Sequence, residues 1–122
     1  MVALAIAVTV ALIGLERDHD GCQDAARSVF LSSNAPESRL RSSADVLARE
    51  CGGAEPLNRA ALGLRIERPS IAARLARTAA AREPESYVAW GILAVAAPPS
   101  EAAAAARRAR ALNPLSATTA HP

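Results

Sequence analysis

Three stretches of this chain share one spacing of small residues that ends on proline. That spacing limits the possible fold more than any other feature. The first stretch is Ala44, Ala48, Cys51 and Pro56, the second Ala72, Ala76, Ala79 and Pro84, the third Ala102, Ala106, Ala109 and Pro114. The intervals are four, three and five residues each time, and matched positions lie 28 and then 30 apart. An arginine follows the second small residue in every stretch (Arg49, Arg77, Arg107), and an acid or amide precedes each proline (Glu55, Glu83, Asn113). Positions four and three apart share one face of an α-helix, and small side chains there let a neighbouring helix come close. Proline cannot continue a helix, so it marks a stop and the next start.

A second helical stretch precedes each of these: Asp20 to Ser33, Leu57 to Ile66, and Tyr87 to Ala96. Breakers separate the members of each pair, at Asn34-Ala35-Pro36, Arg68-Pro69-Ser70 and Pro98-Pro99-Ser100. Ser70 and Ser100 suit helix N-caps, and Gly52-Gly53 suits a helix end. The expectation is an all-α fold, with six helices in three antiparallel hairpins stacked in a right-handed sense over residues 20–115. A tail of residues 116–122, Thr- and Pro-containing and expected to be disordered, follows it.

Composition agrees. About half of the 122 residues are hydrophobic, yet there is one Phe, one Tyr, one Trp and one Met. A core dominated by Ala and Leu suits closely packed helices, since Ala has the highest helix propensity. β-Branched and aromatic residues are scarce after the first thirteen positions, which argues against a sheet. All the basic residues are arginine, as in GC-rich bacterial coding. Net charge is +2, with acids interspersed. Without a basic block or aromatic platforms the chain does not read as a nucleic-acid binder. The densest basic cluster, Arg107, Arg108 and Arg110, falls in the last turns of a helix, where cations complement the macrodipole.

Val2 to Leu15 is apolar apart from Thr9 and Gly14 and stops at the charged run Glu16 to Asp20. Such a run reads as a membrane segment, a signal-peptide core or a buried helix. As a helix it spans about 21 Å, short of the ~30 Å hydrocarbon layer. No basic residue precedes it, and no small-residue cleavage site closes it. The expectation is a membrane anchor, or a truncated transmembrane segment, over residues 1–16. The chain would then be a single-pass membrane protein.

The spacing of small residues and prolines resembles tetratricopeptide repeats. Trp90 with Leu93 matches that family's early first-helix positions in the last repeat, and Leu62-Gly63 matches its Leu-Gly pair in the middle one. The resemblance covers roughly residues 20 to 115 and implies a helical scaffold that binds protein partners without catalysis or cofactor. The repeats are a few residues shorter than the family's, which run to about 34. The positions that line the family's concave groove are here Leu57, Ala60, Ala61 and Leu64, then Val88, Gly91, Ile92 and Val95. These are apolar, so an apolar occupant is expected rather than a peptide carboxylate. The stretch from Glu83 to Ser116 is also loosely similar to extracytoplasmic repeat tails of actinobacterial O-antigen-ligase-like membrane proteins. That implies an alternative role as an accessory tail of a glycan ligase, or a fragment of one.

Cys22 opens the first hairpin and Cys51 closes it, so an antiparallel pair brings them to one end. Two readings stand: a disulfide, implying an oxidising and hence extracytoplasmic setting, or two small buried hydrophobes. No further Cys or His has zinc-ligand spacing, so no metal is expected. Asp18-His19-Asp20 reads as a solvated stop, and His121 sits in the tail. Glu83 and Glu85 flank Pro84 at a helix start, where acids favour the dipole. Tyr87 and Trp90, three apart, read as packing between helices. No catalytic residue, glycine-rich phosphate loop or nucleotide fingerprint is present.

Overall fold

The computed structural model describes residues 21–115, and six helices run through residues 21–112. They are α1 (residues 21–31), α2 (Glu37–Glu50), α3 (Glu55–Leu64), α4 (Pro69–Arg82), α5 (Tyr87–Ala96) and α6 (Pro99–Leu112). No strand occurs among the described residues, and the backbone turns helical again at 114–115. The expected anchor, the Asp18-His19-Asp20 cluster, His121 and the tail lie outside the described residues.

Helices α2 to α5 bury the face their apolar spacing marks, whereas on α6 the expected Ala102, Ala106 and Ala109 are only half-buried. Leu40, Ala44, Leu47 and the cap residue Cys51 recur at intervals of four, three and four, and all are buried. The cap residue Ala54 with Leu57, Ala61 and Leu64 of α3, at intervals of three, four and three, are buried too, as are Ala89, Ile92, Leu93 and Ala96 on α5. On α4, Ile71, Ala72, Ala73, Leu75, Ala76, Ala79 and Ala80 are all buried, far more than one stripe. The cause is its position: α4 packs on α3, α5 and α2, whereas α6 packs on α5 and buries only Ala105. Alanine allows this crowding, because a larger side chain on a helix with three neighbours would hold them apart.

Consecutive helices pair as hairpins. α3 and α4, and likewise α5 and α6, pack along their lengths across links of a few residues, which makes them antiparallel. In the first hairpin Cys22 and Cys51 are joined by a disulfide with Cα atoms 4.8 Å apart. The bond ties the start of α1 to the end of α2. Hairpins then stack: α4 packs on α5, α3 on α5, and α2 on α4.

The three second helices are each 14 residues long, and this corrects the repeat register. Their C-cap N–H groups, those of Cys51, Glu83 and Asn113, donate to the carbonyls of Leu47, Ala79 and Ala109. Equivalent positions are therefore Leu40, Ala72 and Ala102; then Ala44, Ala76 and Ala106; then Leu47, Ala79 and Ala109. The first stretch slips by one helical turn against the spacing read from sequence. Pro56 is no stop for α2 but the second residue of α3, where a missing N–H costs nothing. In the same way Pro69 and Pro99 are first helical residues, so Ser70 and Ser100 lie inside their helices and cap nothing. No described glycine has positive φ, so Gly52-Gly53 is not a left-handed helix end.

Polar clasps join α2 to α4. Arg68 Nη2 donates to Ala35 O at 2.7 Å, and the Ser70 hydroxyl donates to Glu37 Oε1 at 2.8 Å. Arg74 holds Asp45 through two hydrogen bonds of 2.8 and 3.2 Å. Arg82 donates to the carbonyls of Ala48, Cys51 and Gly53, which places a cation on the unsatisfied C-terminal end of α2. One clasp joins α4 to α6: Arg77 with Glu101.

Candidate binding face

The side chains that folding leaves open on the first helices form the candidate site. Phe30, Leu31 and Ile66 are 77%, 74% and 72% exposed, and Leu62, Tyr87 and Val95 are exposed as well. Phe30 and Leu31 sit at the C-terminal end of α1, Leu62 near that of α3 with Ile66 in the turn beyond, and Val95 near that of α5. In a chain with so few large apolar side chains, this is a sizeable share left in water. Single exposed hydrophobics are ordinary, but a group at matching helix ends marks a contact surface.

A groove of about 310 Å³ runs between α1 and α3, lined by Val29, Phe30, Ser33, Arg59, Ala60, Gly63 and Leu64. Its depth comes from Gly63. A Cβ there would meet nothing within 4 Å, so the groove floor is backbone. Gly91 on α5 has the same open space. Arg59 reaches along α3 to Glu55 in an exposed ion pair, which gives the apolar groove a charged rim.

The groove differs from the one expected. Leu57, Ala61 and Ile92 are core residues with little or no exposure, not a lining open to a partner, whereas Ala60 and Leu64 of the expected lining do face the groove. On α3 the open face also takes in Arg59, Leu62 and Gly63, and on α5 the expected Val95 is exposed. Gly63 and Leu62, read as signature residues, line or neighbour it. Leu93 belongs to the core. Trp90 is half-buried, with its indole N–H donating to Pro84 O at 2.8 Å. Tyr87 is exposed rather than buried between helices. Glu83 and Glu85 lie in the link before α5 and, with Arg108, line a shallow open cleft.

Electrostatics concentrates on the helix clasps. The Ser70 hydroxyl holds the Glu37 carboxyl below its usual range, with Arg41 and the charge of Arg68 adding to it against the opposing effect of burial. The hydrogen bonds from Arg77 lower Glu101 in the same sense. The Arg77 and Arg74 guanidiniums are raised by their carboxylates. These are structural pairs on the surface, away from the apolar groove.

Asn58 was not anticipated. It is buried on α3, and its Oδ1 has no hydrogen-bond partner. Among the described residues no group of three or more His, Cys, Asp or Glu could hold a metal ion, and no helix is long and apolar enough to cross a membrane. Both cysteines are in the disulfide, so neither offers a thiolate. No family model, curated protein or solved structure matches the chain.

Proposed function

We propose that this chain is a tetratricopeptide-like interaction module that binds a protein partner and does no chemistry, tethered to a membrane through residues 2–15. Stacked hairpins bury one face of each helix on a neighbour and leave an extended surface for binding, a division of labour common to helical repeat arrays. The observation that carries the reading is the groove between α1 and α3, floored by Gly63 and walled by Val29 and Phe30, beside exposed Leu31 and Ile66. Its lining favours an amphipathic helix, the apolar face seated on Gly63 and Ala60 and an acid reaching Arg59. The disulfide supports an oxidising setting, and so a module displayed outside the cytoplasm.

The test is photo-crosslinking in the native envelope, with a benzophenone side chain placed in turn at Phe30, at Ile66 and at Arg49 as an off-face control. One defined adduct from the first two positions, absent at the third and absent when Gly63→Leu fills the groove, supports the reading. Adducts equally frequent from all three positions refute it.

A further inference from the structure

The last described helix, α6, leaves open a face that the internal symmetry of the stack shows how to cover. With equivalent positions 30 residues apart, the α4 residues Ala73, Ala76 and Ala80 correspond to Ala103, Ala106 and Arg110 on α6. Leu75 and its equivalent Ala105 are both buried. Ala73 and Ala103 differ sharply: the first is 1% exposed, the second lies open. Ala76 is fully buried and Ala106 only half so. α4 carries the next hairpin on that face, through its contact with α5, and α6 carries nothing among the described residues.

Charge tells the same story independently. Arg77 of α4 reaches the following hairpin by clasping Glu101, in the first turn of α6, through two hydrogen bonds of 2.7 Å. Its equivalent on α6 is Arg107. That residue is exposed and makes no ion pair with any described carboxylate, and Arg110 stands beside it where α4 has an alanine. The open face thus has an alanine floor and a cationic edge with no acid to meet it.

We infer that this face of α6 docks a helical hairpin of the same chemistry as α5–α6, supplied by a partner protein: an apolar first helix seated on Ala103 and Ala106, and an acid in the first turn of its second helix clasped by Arg107. This deepens the reading of the chain as an interaction module and rests on it, but it concerns a surface separate from the groove beside Gly63.

The test uses the full chain with Ala103→Cys and a synthetic peptide of residues 83–113 as the probe. The peptide has no cysteine, and both native cysteines are bonded, so thiol labelling reads position 103 alone. At about ten times its Kd the peptide slows labelling about tenfold by occupancy. Arg107→Glu abolishes the slowing, and a peptide carrying Glu101→Arg restores it on that variant. Because the free peptide can fail to form a hairpin, the same reading is taken on a chain whose residues 113–122 are replaced by a second copy of residues 83–115. Unchanged labelling in both formats overturns the inference, and so does protection indifferent to Arg107→Glu. The crosslinks from Phe30 and Ile66 are unaffected by any of these changes. Loss of those crosslinks would instead count against the groove.

Discussion

Arg77 lies flat against Glu101, its Nε and Nη2 each 2.7 Å from one carboxylate oxygen, and this fork joins the middle hairpin to the last. The geometry is bidentate and specific, but both side chains remain well exposed to water. Its contribution to stability is therefore at the surface level, under about 1 kcal/mol. Arg77→Ala should lower the urea midpoint only slightly, and 0.5 M salt should lower the wild type by a similar amount. The register of α6 on α4 should nonetheless loosen, visible as faster amide exchange in the first turn of α6.

The same pair sets an acid dependence. Glu101 and Glu37 both have folded pKa values below the ordinary 4.5, held down by Arg77 and by the Ser70 hydroxyl respectively. The stability they contribute is fully present above the unfolded value and is lost as pH falls through the lowered folded value. Urea midpoints measured from pH 7 downward should stay level to about pH 5 and then decline. Glu101→Gln should flatten that decline in part, with Glu37→Gln removing more of it.

The disulfide pins α1 to the stack. Ala25 and Val29 are the described residues of α1 that are buried, too few to order the helix alone. Closing the 29-residue separation between Cys22 and Cys51 stabilises by about 3 to 4 kcal/mol in the chain-entropy model. The double variant Cys22→Ser, Cys51→Ser should lose about that much, with amide protection vanishing first from residues 21–31 and last from α4.

Filling the groove should not harm the fold. Gly63 sits in a helix with open space at its Cβ, and glycine costs a helix up to about 1 kcal/mol relative to alanine. Gly63→Leu is expected to raise the melting temperature slightly while abolishing the crosslinks from Phe30 and Ile66. A buried polar atom gives a second gain. Asn58 Oδ1 has no partner, and Asn58→Leu should stabilise by about 1 kcal/mol by removing an unsatisfied acceptor.

How much of this was legible beforehand depends on the period of the signal. The all-α fold, the hairpin pairing and the meeting of Cys22 with Cys51 follow from breakers and from spacing along a helix face, which are local. The register was not legible. In α2 a shift of four residues moves Ala48 onto the place of Ala44 without leaving the face, so spacing alone cannot choose between them. Pro56 misled for a related reason: a proline reads the same whether it ends one helix or opens the next. The roles of Arg82 and Arg68 were hidden, since each binds backbone carbonyls more than 25 residues away, which carry no side-chain signature. That Leu57 and Ala61 go to the core was not legible either, because they are no more apolar than Leu62, which stays open. Only packing decides which of them meets a neighbour.

Alanine faces let these helices close on one another, and the same face lies open on α6, the last described helix. Equilibrium unfolding of Ala76→Leu against Ala106→Leu tests it most directly, because the two positions are equivalent and differ only in whether a hairpin covers them. Ala76→Leu should lose about 1 to 3 kcal/mol through overpacking, while Ala106→Leu should change stability by less than about 0.5 kcal/mol. Equal losses at both positions, or none at Ala76, would contradict it.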